Sequence, residues 1–203
     1  SMKKILTSAV ALLCVSTFSV SAEDSFEMPV KGELLPGWVQ PDGTRVAGLR
    51  IKLAPGWKTY WRSPGDAGIP PQFDWSGSEN LHSVGIVWPA PVVFLPAGMR
   101  TIGYTGDVVL PIMGVGSDIC IPHRMTLDAV IDDANTKPTP AIAAALAARP
   151  YSGQDMGVTS ATCALKPTQD GLAITASMTM ASTGGEEVVI IEPGAEGLWM
   201  SET

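Results

Sequence analysis

The chain holds three cysteines and two histidines. One short run, Ser117-Asp118-Ile119-Cys120-Ile121-Pro122-His123, brings one of each together with an acid. The thiolate is the reactive form of cysteine, and a nearby imidazolium or metal favours it. Three chemistries fit these residues. Cys120 could pair with Cys163 as a structural disulfide, or it could exchange disulfides as a redox thiol supported by Asp118 and His123. In the third, Cys120, His123, Met125 and Cys163 would supply soft donors for Cu(I). The Cys-x-x-His spacing alone leaves all three open. A bridge from Cys120 to Cys163 would close a loop of about 43 residues and contribute roughly 4 kcal/mol in the loop-entropy account.

Other chemistries have little material. The sequence contains no G-x-S-x-G, Walker loop, H-E-x-x-H or C-x-x-C, and histidine-based hydrolysis would have to rest on His82 and His123. Glu186-Glu187 and Asp132-Asp133 are adjacent acids, which on a strand point to opposite faces and read as solvated surface. Trp57, Tyr60, Trp61, Trp75 and Trp88 lie near Asp66 and Asp74. They could stack on a sugar or a peptide, but filling the core and edges of a small domain is the simpler use of such rings.

The address of the chain is written at its start. Lys3 and Lys4 precede an uncharged apolar run from Ile5 to Val20, and Val20-Ser21-Ala22 offers the small residues a signal peptidase reads. The run is shorter than a membrane span and dotted with Ser and Thr, so residues 1–22 are expected to be a signal peptide cleaved after Ala22. Cys14 would leave with it. No later stretch is expected to cross a membrane. The mature chain would carry 11 basic and 20 acidic residues, a net charge of −9. Such a surface repels phosphate backbones and excludes nucleic acid as a partner. An oxidising destination permits disulfides.

The elements that must position Cys120 read as strands. Residues 23–42 look irregular, with Pro29, Pro36 and Pro41 spaced through them. Ala47, Leu49, Ile51 and Leu53 alternate with polar neighbours and predict a half-buried strand. Trp57 to Arg62, Phe73 to Ser78, Val84 to Trp88, Thr101 to Met113 and Met125 to Ile131 continue the pattern between Gly/Pro turns, with Ser63 to Pro71 as a loop. Thr139 as N-cap, Pro140 in the first turn and the Ala-rich 141–148 predict one helix that Pro150 stops. Leu172, Ile174, Ala176, Met178 and Met180 share a face of a further strand, and Val188 to Ile191 predict a last short one. Many short strands with turn signals predict an all-β sandwich. The expected plan is a signal peptide over 1–22, a β-sandwich over 23–150 with the helix as connector, and an incomplete second β subdomain over 151–203.

The string Leu53-Ala54-Pro55-Gly56-Trp57-Lys58-Thr59-Tyr60-Trp61-Arg62-Ser63-Pro64-Gly65-Asp66, followed by Phe73-Asp74-Trp75-Ser76-Gly77-Ser78, resembles the N-terminal periplasmic domain of DsbD-type disulfide reductases. It is most similar to the branch that includes the suppressor of copper sensitivity protein B. Trp88-Pro89-Ala90-Pro91, Gly103-Tyr104, Val108-Val109-Leu110-Pro111 and Asp118-Ile119-Cys120-Ile121-Pro122 extend the likeness over most of residues 33–200. The resemblance implies an immunoglobulin-like sandwich, located in the periplasm, whose cysteine pair takes electrons from a membrane-embedded reductase domain. The pair passes them to periplasmic thioredoxin-like thiol proteins, without organic cofactor or metal. The family pattern is Cys-x-Asp-Ile-Cys-x-Pro. Cys120 matches its second cysteine, but Gly116 stands where the first belongs. The usual local pair is therefore missing. Cys120 and Cys163 become the expected exchange residues, and the alternative is a Cu(I)-handling or redox-inactive module held by a structural bridge.

Overall fold

The computed structural model describes residues 29–76, 78, 83–115, 118–122, 126–194 and 200. The signal segment, His82, Gly116, His123 and Met125 lie outside the described residues. In chain order the strands are β1 (Val30–Val39), β2 (Arg45–Leu53), β3 (Lys58–Gly65), β4 (Ser83–Ile86), β5 (Val92–Phe94), β6 (Thr101–Thr105) and β7 (Asp107–Val115). Then come β8 (Asp118–Pro122), β9 (Thr126–Val130), the helix α1 (Pro140–Ala147), β10 (Ser160–Thr168) and β11 (Gly171–Thr179).

Two antiparallel sheets make the sandwich, one ordered β1-β2-β7-β4 and the other β3-β6-β5. The fold is mainly β and immunoglobulin-like, as the strand pattern and the resemblance predict. The period-two rule explains how the layers meet. Ala47, Leu49, Ile51 and Leu53 on β2, with Val108, Leu110 and Ile112 on β7, enter one buried cluster with Trp61, Ile102 and Tyr104 of the second sheet. Ile102, Leu110 and Ile112 are almost wholly buried, and each such side chain contributes about 1.5–3 kcal/mol relative to exposure.

The opposite parity of the first sheet is also covered. Trp38, Val46 and Ile142 form a second cluster, with Leu35, Val109, Met113 and Leu146 around it. Helix α1 thus packs on the outer face of the four-stranded sheet and does more than connect. Its approach depends on Gly48, where a Cβ would stand 2.8 Å from Ile142 Cγ1. Thr139 occupies the N-cap position, yet its hydroxyl caps no helical N–H. Instead it donates to the Pro36 carbonyl at 2.9 Å, tying the helix start to β1.

Four other expectations are corrected. Residues 30–39 are a strand, because a bulge between Leu35 and Trp38 absorbs Pro36 without breaking the ladder with β2. β3 begins one residue after Trp57 and runs on through Gly65 into the expected loop. Residues 188–191 form no strand in the structure; Val188 and Ile190 are half-buried while Val189 is exposed, so the alternation is there without a ladder. Phe73 and Trp75 also lie outside any strand and stack on one another at 5.8 Å against the core.

Candidate functional site

Cys120 lies on a hairpin that leaves the sandwich after β7. In the β8–β9 ladder Cys120 stands opposite Asp128, and Asp118, two residues earlier on β8, stands opposite Val130. The root of this hairpin is firmly held. Leu127 packs against the main core, and Ile131, directly after β9, is buried in it. Beyond it the Asp132 carbonyl accepts the Asn135 N–H at 2.9 Å, closing a turn. The Asn135 carbonyl then accepts the Val39 N–H at 2.8 Å, and its side-chain amide donates to the Gly37 carbonyl at 2.6 Å. Arg45 on β2 pairs with Asp133. Backbone, core and ion pair together fix where the cysteine-bearing hairpin returns to the sandwich.

Cys163 stands elsewhere. It is a free, exposed thiol on β10, opposite Ala176 in a separate two-stranded sheet. The Cys120–Cys163 bridge is not formed in this structure, and the two residues occupy different hairpins. The β10–β11 register sorts that hairpin into two chemically distinct faces. Ala161, Cys163, Leu165 and Pro167 oppose Met178, Ala176, Ile174 and Leu172, while the other parity carries mostly Ser and Thr. Its apolar face is open: Leu165 and Leu172 are each 63% exposed and Met178 53%. Period two in β11 was legible in the sequence; that its partner strand would place Cys163 among those residues was not.

The aromatic residues mostly serve packing. Trp61 is buried in the core cluster, and Trp75 and Trp88 pack against it, while Trp57 is half exposed. Phe73 lies 6.2 Å from Trp88 in a tilted arrangement. Tyr104, buried, donates its hydroxyl to the Pro89 carbonyl at 2.7 Å, and burial pushes its phenol well above the usual tyrosine range. Lys58 donates to Thr101 Oγ1 at 3.2 Å and sits 5.0 Å from the Phe94 ring centre.

One cluster escaped sequence reasoning. Arg62 on β3 lies over the Trp61 ring at 4.4 Å and holds Glu192 with two nitrogens. The pair spans 130 residues, and no motif or period could have joined them.

Residues 31–131 match the family described as thiol:disulfide interchange protein DsbD, N-terminal. Among solved structures, the chain is similar to the N-terminal periplasmic domain of ScsB from Proteus mirabilis. Identity is 23%, the match covers 77% of this chain and 82% of that chain, and the TM-score is 0.42. No curated protein matches the chain. Among the described residues, no helix is long and apolar enough to cross a membrane.

Proposed function

Over residues 31–131 the chain belongs to the DsbD N-terminal domain family, and from that premise we propose that it exchanges thiols and disulfides in the periplasm. It would relay reducing equivalents from a membrane-embedded reductase domain to thioredoxin-like periplasmic proteins. The observation that carries this reading is the position of Cys120. It falls inside the family match, on a hairpin whose root is tied into the sandwich by Ile131 and Asn135.

The step is written for a reduced domain meeting an oxidised partner. The Cys120 thiolate attacks one sulfur of the partner's disulfide, forming a mixed disulfide and releasing the partner's other sulfur as a thiolate. With Gly116 in place of the usual neighbour, Cys163 is the available second thiol. Its thiolate attacks the Cys120 sulfur, forming the Cys120–Cys163 disulfide and releasing the partner fully reduced. A membrane reductase dithiol then reverses the sequence. Closing the bridge requires the two hairpins to bring their Cα atoms within about 7 Å. Asp118 and His123 are the residues proposed to tune the Cys120 thiol.

The domain plan belongs to the same reading. Residues 1–22 act as a cleaved export signal and 23–150 as the sandwich. Residues 151–203 are part of a second β unit, which the open apolar face of β10–β11 supports, since an isolated two-stranded hairpin is marginal in water. A thiol count on the mature protein, before and after mild reductant, is the direct test. Exchange predicts two thiols after reduction and a mixed disulfide at Cys120 when Cys163→Ser meets an oxidised thioredoxin-like protein. Absence of any mixed disulfide at Cys120 overturns it. Cu(I) held against a chelator of moderate affinity, and lost in Cys120→Ser, would favour the copper-handling reading instead.

A further inference from the structure

Among the described residues β3 is an edge strand of its sheet, paired with β6 alone. Its ladder breaks between Tyr60 and Gly65: those residues pair with Gly103 and Thr101, so four residues of β3 face a single residue of β6. Such a bulge re-aims side chains that a regular ladder would hold in register. Gly65 closes it with a φ of +83°, where a Cβ would meet the Arg100 carbonyl oxygen at 2.4 Å. Trp61 and Arg62 lie in this bulged stretch. Trp61 is 7% exposed, and among the described residues its indole N–H has no hydrogen-bond partner. Arg62 stacks on its ring and presents its guanidinium outward.

A remote piece of the chain occupies this place. After β11, the Glu187 carboxylate accepts from the Ser182 hydroxyl and from the Thr183 N–H and hydroxyl, which organises a turn. The chain then returns to the sandwich. Ile190 packs against the main core. Two residues on, Glu192 receives Arg62 Nε at 2.9 and 3.1 Å and Nη2 at 2.9 Å. Arg62 and Glu192 remain 45% and 38% exposed, so the ion pair adds little binding energy by itself. The two-nitrogen geometry fixes direction and spacing, and the aliphatic side chain supplies the burial.

We propose that the Trp61–Arg62 bulge is a docking site for a short segment carrying an aliphatic residue two positions before a carboxylate. In this structure the chain's own Val188–Glu192 fills it as a releasable strap. Both halves of the recognition are built: an apolar core edge for Ile190 and a stacked, pre-aimed guanidinium for Glu192. Because the strap is joined to β11 by the short turn that Glu187 organises, its seating also tethers the β10–β11 hairpin to the sandwich. Release would free that hairpin and open the site to a segment of the same pattern from another chain.

Hydrogen exchange on the mature chain tests the seating. Amides of 188–192 should exchange about twofold to fivefold faster in Glu192→Gln and faster still in Ile190→Ala, with β1 and β2 amides unchanged. Combining Arg62→Glu with Glu192→Arg should restore protection that Arg62→Glu alone removes. A synthetic peptide of residues 186–194 should bind the Ile190→Ala/Glu192→Gln protein saturably, and should not bind when Arg62→Glu is added. Amides 188–192 that exchange equally fast in the wild type and in these variants overturn the proposal. So does a peptide that fails to bind the strap-weakened protein while β1 and β2 stay protected.

Discussion

Gly48 and Ile142 meet so closely that the helix could not lie where it does over any other residue. A Cβ on Gly48 would stand 2.8 Å from Ile142 Cγ1 and 3.1 Å from Val109 Cγ1. Opposite Gly48 on β7 is Pro111, fully buried, so the surface under the helix is kept flat by one residue without a side chain and one with a compact ring. Gly48→Ala is expected to cost about 1–3 kcal/mol through overpacking, read as a lowered denaturant midpoint with unchanged m-value. Ile142→Ala should cost about 2–5 kcal/mol through the cavity it leaves. The two together should fall short of the sum, since the smaller side chain makes room for the added methyl.

Tyr104→Phe removes the hydroxyl that donates to the buried Pro89 carbonyl. Leaving such a group without a donor costs about 1–3 kcal/mol, measurable in equilibrium unfolding. The wild-type phenol also has a direction in pH. Burial raises its folded value above the unfolded one, so the protein holds the protonated form more tightly when folded. Its contribution is fully present below about pH 10 and is lost as pH rises beyond that. Ultraviolet titration should show Tyr104 ionising only with unfolding, and Tyr104→Phe should flatten that alkaline loss.

Arg50 and Asp107 give the opposite sign. Hydrogen bonds from Arg50 hold the Asp107 carboxyl below the usual carboxylate range. A depressed folded value means stability that is present above the unfolded pKa of about 3.9 and lost as pH falls through the folded value. The pair is solvent-exposed, so the loss should be small and weaker still in high salt. Carboxylate titration by NMR should place Asp107 low in the wild type and near the ordinary range in Arg50→Gln.

The cysteines give the functional prediction. Cys163 should react readily with a small alkylating reagent in the folded, reduced protein, as its exposed position on β10 requires. A second β layer closing on the apolar hairpin face would shield it, and mass spectrometry of the alkylated protein separates the two. Cys120→Ser should abolish disulfide transfer in a coupled reduction assay. Cys163→Ser should leave the first attack intact and let the mixed disulfide accumulate.

Much of the sandwich was legible because period two is a local property. Ala47, Leu49, Ile51 and Leu53 announce a strand and its buried face without reference to anything else. The helix was legible from Pro140, the Ala run and Pro150. β1 was hidden by Pro36, whose cost to a ladder disappears once a bulge is allowed there, and a bulge is decided by the partner strand. Val188 to Ile191 misled in the other direction: the alternation is real, but a strand also needs a neighbour with free N–H and C=O groups, and this segment meets a core edge and an arginine instead.

The candidate site divides along the same line. The local run around Cys120, the acid two residues before it and the glycine at 116, where the resemblance expects the family's other cysteine, were all set by the order of residues along the chain. Only the tertiary structure decided that Cys120 rides a hairpin rooted by Ile131 and Asn135. It also decided that Cys163 stands free on a different one, and that Glu192 reaches Arg62 across 130 positions. Sequence patterns report which face of its own element a residue takes. Which elements meet is settled by the joint burial of their apolar faces, and that is a property of the whole chain at once.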